Sequence, residues 1–239
     1  MVVQADDAVF RPVRAGNPFE ETVERLLQAI KLGVVVPGDR LPPERELAVR
    51  LNVSRVTLRE AIHALTEAGY VESRRGRYGG TFVNEELPKP RRTPAKRLAR
   101  ELAAGLDDAL TLRVVLETGA AEAAADRDLG PAERDHLQRC LAETDAASLT
   151  DYRRLDSRLH LAIAEVTGSP SLISATADVR MRLNELLDAI PLLERNIEHS
   201  NQQHKVIVDA VLAGDPEAAR QAMQEHLSGT AALLRAFLD

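Results

Sequence analysis

The stretch ERELAVRLNVSRVTLREAIHALTEAG, from Glu44 to Gly69, decides how the first third of this chain folds. Leu47, Ala48 and Leu51 share one face at helical spacing, Asn52-Val53-Ser54 interrupts it, and Leu58, Ala61, Ile62 and Leu65 resume it. Ser54 reads as the N-cap of the second helix and Gly69 as its stop. Two short helices across a tight break make a helix-turn-helix. Upstream, Asn17-Pro18 opens an earlier helix with Val23, Leu26, Leu27 and Ile30 inward and Gly33 at its end. Pro37-Gly38 and Pro42-Pro43 punctuate an extended link. Downstream the period changes. Tyr70 to Ser73 and Thr81 to Val83 read as strands around Arg74-Arg75-Gly76-Arg77-Tyr78-Gly79-Gly80, a hairpin with a basic tip. Residues 17–84 therefore spell a winged helix-turn-helix.

Residues 1–16 carry no periodicity and read as a mobile arm. Residues 85–94, with Pro88, Pro90, Lys89, Arg91 and Arg92, read as a linker. Beyond it, residues 95–239 are helical in pattern, over about 95–104, 106–127, 131–146, 149–167, 171–190, 192–213 and 216–238. Breaks fall at Gly105, Gly130-Pro131, Gly168-Ser169-Pro170, Pro191 and Gly214-Asp215-Pro216. Short connections imply an all-α antiparallel bundle of six or seven helices. The predicted fold is mainly α.

Composition narrows the function classes. The chain has 239 residues, 44% hydrophobic and 28% charged, ordinary for a globular protein. No run of 18 apolar residues spans a membrane, and the first 20 residues lack a secretory core. Cys140 is the single cysteine, which excludes disulfides and thiolate metal clusters and fits the cytoplasm. The net charge of −6 hides an asymmetry. Residues 1–100 hold 18 Lys/Arg against 13 Asp/Glu, while residues 101–239 hold 13 against 24. A basic head on an acidic body suggests two tasks.

The head's task is legible in its arginines. Opposite the apolar face of the second motif helix stand Arg55, Arg59 and His63, spaced i, i+4, i+8. Ser54 and Thr57 sit at its N-terminus, where backbone N–H groups favour a phosphate. Arginine reads guanine with two parallel hydrogen bonds. The wing adds Arg74, Arg75 and Arg77, with Gly76 allowing close approach. A double-stranded DNA groove is the expected partner.

The body's task is carried by histidines on inward faces. The 149–167 helix shows a stripe of Leu149, Tyr152, Leu155, Leu159, Ile163 and Val166, with Asp156 and His160 beside it. His204 precedes Ile207, Val208, Val211 and Leu212, and His226 lies among Met223, Leu227, Leu233, Leu234 and Phe237. Each histidine alone is more simply a core residue satisfied by a neighbour. Three imidazoles and a carboxylate together are satisfied by one divalent cation: zinc first, with nickel or manganese as alternatives. His136 and His199 have no such setting.

At these motifs the chain resembles a known family. PGDRLPPERELA (37–48), VSRVTLREA (53–61), Gly69-Tyr70-Val71 and Gly79-Gly80-Thr81-Phe82-Val83 resemble the DNA-binding domain of GntR-family bacterial transcription regulators. By that resemblance Arg45, Ser54, Arg55, Val56, Arg59, Arg75 and Gly76 touch operator DNA, with Arg55 and Arg59 as base readers. Val56 departs from the small polar residue often found at its position. Leu112 to Glu117, Leu155 to His160, His204 to Ile207, Gly214 to Ala219 and His226-Leu227 are similar to the effector domain of the family's FadR subfamily, the FCD domain. In metal-binding members the positions of Asp156, His160, His204 and His226 hold the ion. The effector there is commonly a small carboxylate, for which Arg113 is the candidate second anchor; a surface ion pair with Glu117 is the alternative.

The resulting expectation is a ligand-responsive regulator, in the family's usual mode a repressor and not an enzyme. It would bind an inverted repeat as a homodimer through two winged heads. Two alternatives remain at this level. The metal could be purely structural, or the body could be a metal-dependent hydrolase. Glu165, on the solvent side of its stripe, is the sole candidate base for the latter.

Overall fold

The computed structural model describes residues 9, 10, 18–76, 79–88, 95–188, 190 and 192–238. They are mainly helical and fall into two compact units that divide near residue 90. Most of the predicted arm, and residues 89–94 of the predicted linker, lie outside the described residues. Val9 and Phe10 are buried.

The N-terminal unit contains α1 (Pro18–Lys31), α2 (Glu44–Arg50), α3 (Arg55–Glu67), β1 (Val71–Arg74) and β2 (Gly80–Val83). Helices α1 and α2 both pack on α3. Leu26, Ile30, Leu47, Leu51, Leu58, Ala61, Ile62 and Leu65 are buried between them. Val23 and Leu27, also expected inward, are only half-buried. The break before α3 is closed by Asn52 in the left-handed region (φ 53), which asparagine tolerates better than most residues. Ser54 then caps α3, its Oγ accepting from the Thr57 N–H at 3.0 Å.

β1 and β2 pair antiparallel, Val71 opposite Val83 and Arg74 opposite Gly80. The hairpin gains a third edge that the sequence reading treated only as a link. Arg40 bridges Phe82, and the Leu41 N–H donates to Thr81 O at 2.9 Å.

The C-terminal unit contains α4 (Ala95–Ala125), α5 (Pro131–Asp145), α6 (Tyr152–Glu165), α7 (Pro170–Asp188), α8 (Glu194–Ala213) and α9 (Pro216–Leu238). Two expectations are corrected. The helices expected at 95–104 and 106–127 are one, and the described bundle has six helices, within the expected six or seven. Gly105 does not break α4, because a lone glycine costs only about 1 kcal/mol in a helix. Packing outweighs it: Leu106, Ala109 and Leu110, immediately beyond, join Leu183, Leu186 and Leu234 in a buried cluster. Leu149 lies before α6 and is exposed, so the inward stripe begins at Tyr152.

Helix α4 touches α6, α7, α8 and α9 and forms the spine of the bundle. Gly214, left-handed at φ 70, ends α8 and lets Pro216 start α9 directly. Among the described residues no helix is long and apolar enough to cross a membrane.

Candidate functional site

Four side chains from three helices converge inside the C-terminal unit. Asp156 and His160 come from α6, His204 from α8 and His226 from α9, all buried. One donor atom from each lies within 4.8 Å of the others. Ligands about 2.1 Å from a common ion stand roughly 3–4 Å apart, so one cation would hold these four after drawing the widest pair in by about 1 Å. The ring centroids are 4.5 to 5.4 Å apart. Asp156 Oδ1 points inward, 3.2 Å from His204 Nε2 and 3.9 Å from His160 Nε2.

The surroundings set which nitrogens face the centre. His160 Nδ1 stands 2.6 Å from Glu117 Oε2 and His226 Nδ1 stands 3.2 Å from Gln203 Oε1. Both neighbours are oxygens, which assigns the protons to Nδ1 and leaves the Nε2 lone pairs for the cluster. His160 Nε2 and His204 Nδ1 are buried without a hydrogen-bond partner, and His204 Nε2 has only the Asp156 carboxylate beside it. Orphaned imidazole nitrogens in a dry interior are costly, and a cation satisfies them at once. Burial pushes the His160 pKa down to about 4, against the pull of the Glu117 carboxylate. Burial and the neighbouring imidazoles hold His226 well below its ordinary value. Both rings are neutral, the form that binds metal.

Two residues that sequence reasoning missed support this centre. Arg180 on α7 has no exposed surface; it bonds Asp156 Oδ2 and lies 3.7 Å from Glu117 Oε1. Burial alone would raise the Asp156 pKa, yet Arg180, aided by His204, holds it well below the usual range. The signal was available: Ile173, Thr176, Ala177, Arg180, Leu183 and Asn184 recur at helical spacing and are all buried. Glu117 is the second. Its carboxylate takes Arg113 Nε at 3.3 Å on one oxygen and His160 on the other. Arg113 is 2% exposed and Glu117 1%, so the reading of this pair as a surface ion pair is overturned. Glu165 is likewise corrected. It is buried, bonded by Arg158 Nη1 at 2.9 Å and by His136 Nε2 at 2.7 Å, where those cations neutralise it.

A cavity of about 220 Å³ opens beside the centre. Asp156, His226 and Arg113 line it, with Tyr152 and Gln203. The cluster is therefore accessible from a space the size of a small molecule. His199 also lines it, from an exposed position.

In the N-terminal unit, Arg45, Ser54, Arg55, Val56, Arg59 and His63 are exposed, and Val56 leaves 66% of its surface open. Thr57 is half-buried, its Oγ1 2.8 Å from Ser54 Oγ. Arg59 Nε donates to Glu44 Oε2 at 2.8 Å, tying α3 to the start of α2. On the wing, Arg75 and Gly76 are exposed and Gly76 is left-handed (φ 108) with open space around it. Arg74 instead lies over the Phe82 ring at 4.3 Å and pairs with Glu72, so it braces the hairpin. Arg77 lies outside the described residues.

A winged helix-turn-helix with an exposed arginine face, joined to a helical domain with a small-molecule cavity, is the build of a DNA-binding transcription regulator. Comparison with known proteins gives the family. Residues 18–83 match the model of "Bacterial regulatory proteins, gntR family", and residues 108–229 match the FCD domain. The chain belongs to the gntR family and is a DNA-binding transcriptional regulator with an FCD domain. It is 31% identical over 231 residues to the "Putative L-lactate dehydrogenase operon regulatory protein" of Escherichia coli (strain K12), covering 87% of this chain and 83% of that protein. It is 31% identical over 247 residues to the "HTH-type transcriptional repressor NanR" of Salmonella arizonae, covering 95% and 88%. The fold is shared with E. coli McbR/YncC, at TM-score 0.54 and 20% identity over 92% of this chain and 97% of that one. The two relatives are named as a regulatory protein and a transcriptional repressor.

Proposed function

We propose that this chain is a metal-containing, effector-responsive regulator, a repressor, which reads an inverted repeat as a homodimer in the cytoplasm. One observation carries the sensor half: the convergence of Asp156, His160, His204 and His226, with buried imidazole nitrogens that have no partner outside the cluster. Zinc suits three nitrogens and one oxygen best; nickel and manganese share that donor set. When bound, the ion would supply a Lewis-acidic position facing the cavity.

Charge points to an anionic effector. Asp156 and Glu117 are balanced by Arg180 and Arg113 in one buried group. A divalent cation added to that neutral group leaves two positive charges uncompensated, which a carboxylate reduces. Arg113 is its protein anchor, since Nη1 is buried without a hydrogen-bond partner and Arg113 lines the cavity. The open cavity favours a sensing role over a closed structural site. Glu165, engaged by Arg158 and His136 and absent from the cavity wall, supplies no base for hydrolysis.

In the head, Arg55 and Arg59 read bases from α3, Ser54 and Thr57 meet a phosphate at its N-terminus, and Val56 meets a thymine methyl. Arg45 approaches from α2, and Arg75 with Gly76 from the wing. Effector binding shifts the regulator by preferring one arrangement of the two heads. Elemental analysis with native mass spectrometry, on protein purified without chelator, tests the reading. One divalent ion per chain is expected in the wild type and little in His204→Ala; full stoichiometry in that variant refutes the ligand set.

A further inference from the structure

The cavity of the C-terminal unit is charged at one end and mainly apolar at the other, where Arg153, bonded to Ile190 O, and Asn196 also reach the wall. Its polar end is Asp156, His226 and Arg113. Following α9 away from His226, the wall passes the bare backbone of Gly229, then Thr230, and reaches Leu233. That is about 10 Å along the helix at 1.5 Å per residue. Following α8 from Gln203 toward its start, the wall passes Ser200 and Ile197 and ends at Leu193. Leu187 and Ile190, from the end of α7, close the same apolar end. Leu192 and Leu193 each leave 40% of their surface open at this end, which isolated core residues would not.

The free cationic donors are few. Of the two arginines in the wall, Arg153 is committed, with Nε 3.2 Å from Asp188 Oδ1 and Nη2 donating to Ile190 O at 3.2 Å. Arg113 alone keeps a buried N–H group without a partner. The Arg113 Nη1 group suits one carboxylate; among the described residues the rest of the wall adds polar groups from Asn196, His199, Ser200 and Thr230 but no second arginine with a buried, unpartnered N–H.

We infer that the cavity takes a monocarboxylate bearing an extended apolar tail. The head lies at Arg113 and the tail runs between α8 and α9 to Leu193 and Leu233. A tail of about eight carbons, each advancing roughly 1.25 Å for C–C bonds near 1.5 Å, covers the 10 Å between the two ends. This rests on the reading of Arg113 as the carboxylate anchor.

The test is isothermal titration of the full-length, zinc-loaded protein with straight-chain saturated monocarboxylates from acetate to octanoate, at fixed pH and ionic strength. Expected is one site per chain, with affinity rising about fourfold per added methylene beyond butanoate. Leu193→Asn, at an exposed helix-start position where asparagine is a good cap, should weaken octanoate several-fold and leave acetate unchanged. Acetate binding as tightly as octanoate overturns the inference, as does succinate binding more tightly than octanoate. So does a chain-length gain that persists in Leu193→Asn and in Leu233→Asn. If no monocarboxylate binds and Arg113→Ala behaves as wild type, the anchor itself is refuted and the tail reading falls with it.

Discussion

Replacing Arg180 by methionine removes a cation with no exposed surface from between two buried carboxylates. In the wild type it bonds Asp156 Oδ2, donates to Ser157 Oγ at 3.2 Å and lies 3.7 Å from Glu117 Oε1. Breaking a buried pair from one side costs about 3–5 kcal/mol, because the remaining charge is left uncompensated. Here the residual anions keep some partners: Glu117 retains Arg113 at 3.3 Å and His160 at 2.6 Å, and Asp156 retains His204 at 3.2 Å. The loss should fall near the lower end, about 3 kcal/mol, or roughly 6–12 °C in Tm for a domain of this size. Denaturant unfolding followed by circular dichroism, in excess chelator, measures it. Arg182→Met is the control, since Arg182 sits two residues along the same helix with half its side chain exposed, and its cost should stay within about 0.5 kcal/mol. Saturating zinc should recover part of the Arg180→Met loss by compensating Asp156. A loss below about 1 kcal/mol in chelator would refute the claim that Arg180 balances these carboxylates.

Three further outcomes are expected. The Cys140 thiol and the Glu165 carboxylate raise the His136 pKa to about 9. Because this folded value exceeds the ordinary one near 6.5, its stabilisation is complete below about pH 6.5 and lost as pH rises through 9. Discounted for partial exposure, about 1–2 kcal/mol of unfolding free energy should disappear over that interval, and His136→Gln should flatten the profile. Arg55→Ala should weaken operator binding by about 1–3 kcal/mol and relax preference at one base pair, read by selection from a randomised duplex pool. Ser54→Ala should cost about 1 kcal/mol, seen as faster amide exchange in the first turn of α3; unchanged exchange there would show the cap to be dispensable.

Much of the architecture was legible because its signals are local. Ser54 after Asn52-Val53 marks a cap wherever the chain goes, and the apolar spacing of α3 and α6 fixes their inward faces. The three histidines stood out because each interrupts an apolar face on a different helix. What stayed hidden depends on contacts between distant segments. Arg113 and Glu117 look like an exposed i, i+4 pair until α6 and α7 close over α4. Glu165 follows Ala164 at a helix end and looks solvent-facing until Arg158 and His136 meet it from two helices. Gly105 reads as a break because a propensity rule cannot weigh the leucines packed beyond it. The bridge between Arg40 and Phe82 has no alternating pattern to announce it.

The unbroken α4 has a mechanical consequence. Arg113 and the first turn at Ala95 belong to a single rod, separated by 18 residues or about 27 Å. No proline interrupts that length, and kinks otherwise need a specific local cause. A rotation of only about 5° at the guanidinium therefore swings the far tip by roughly 2 Å, amplification obtained from leverage alone. Gly105, midway, is the one glycine between them, and Gly105→Ala should stiffen the rod there.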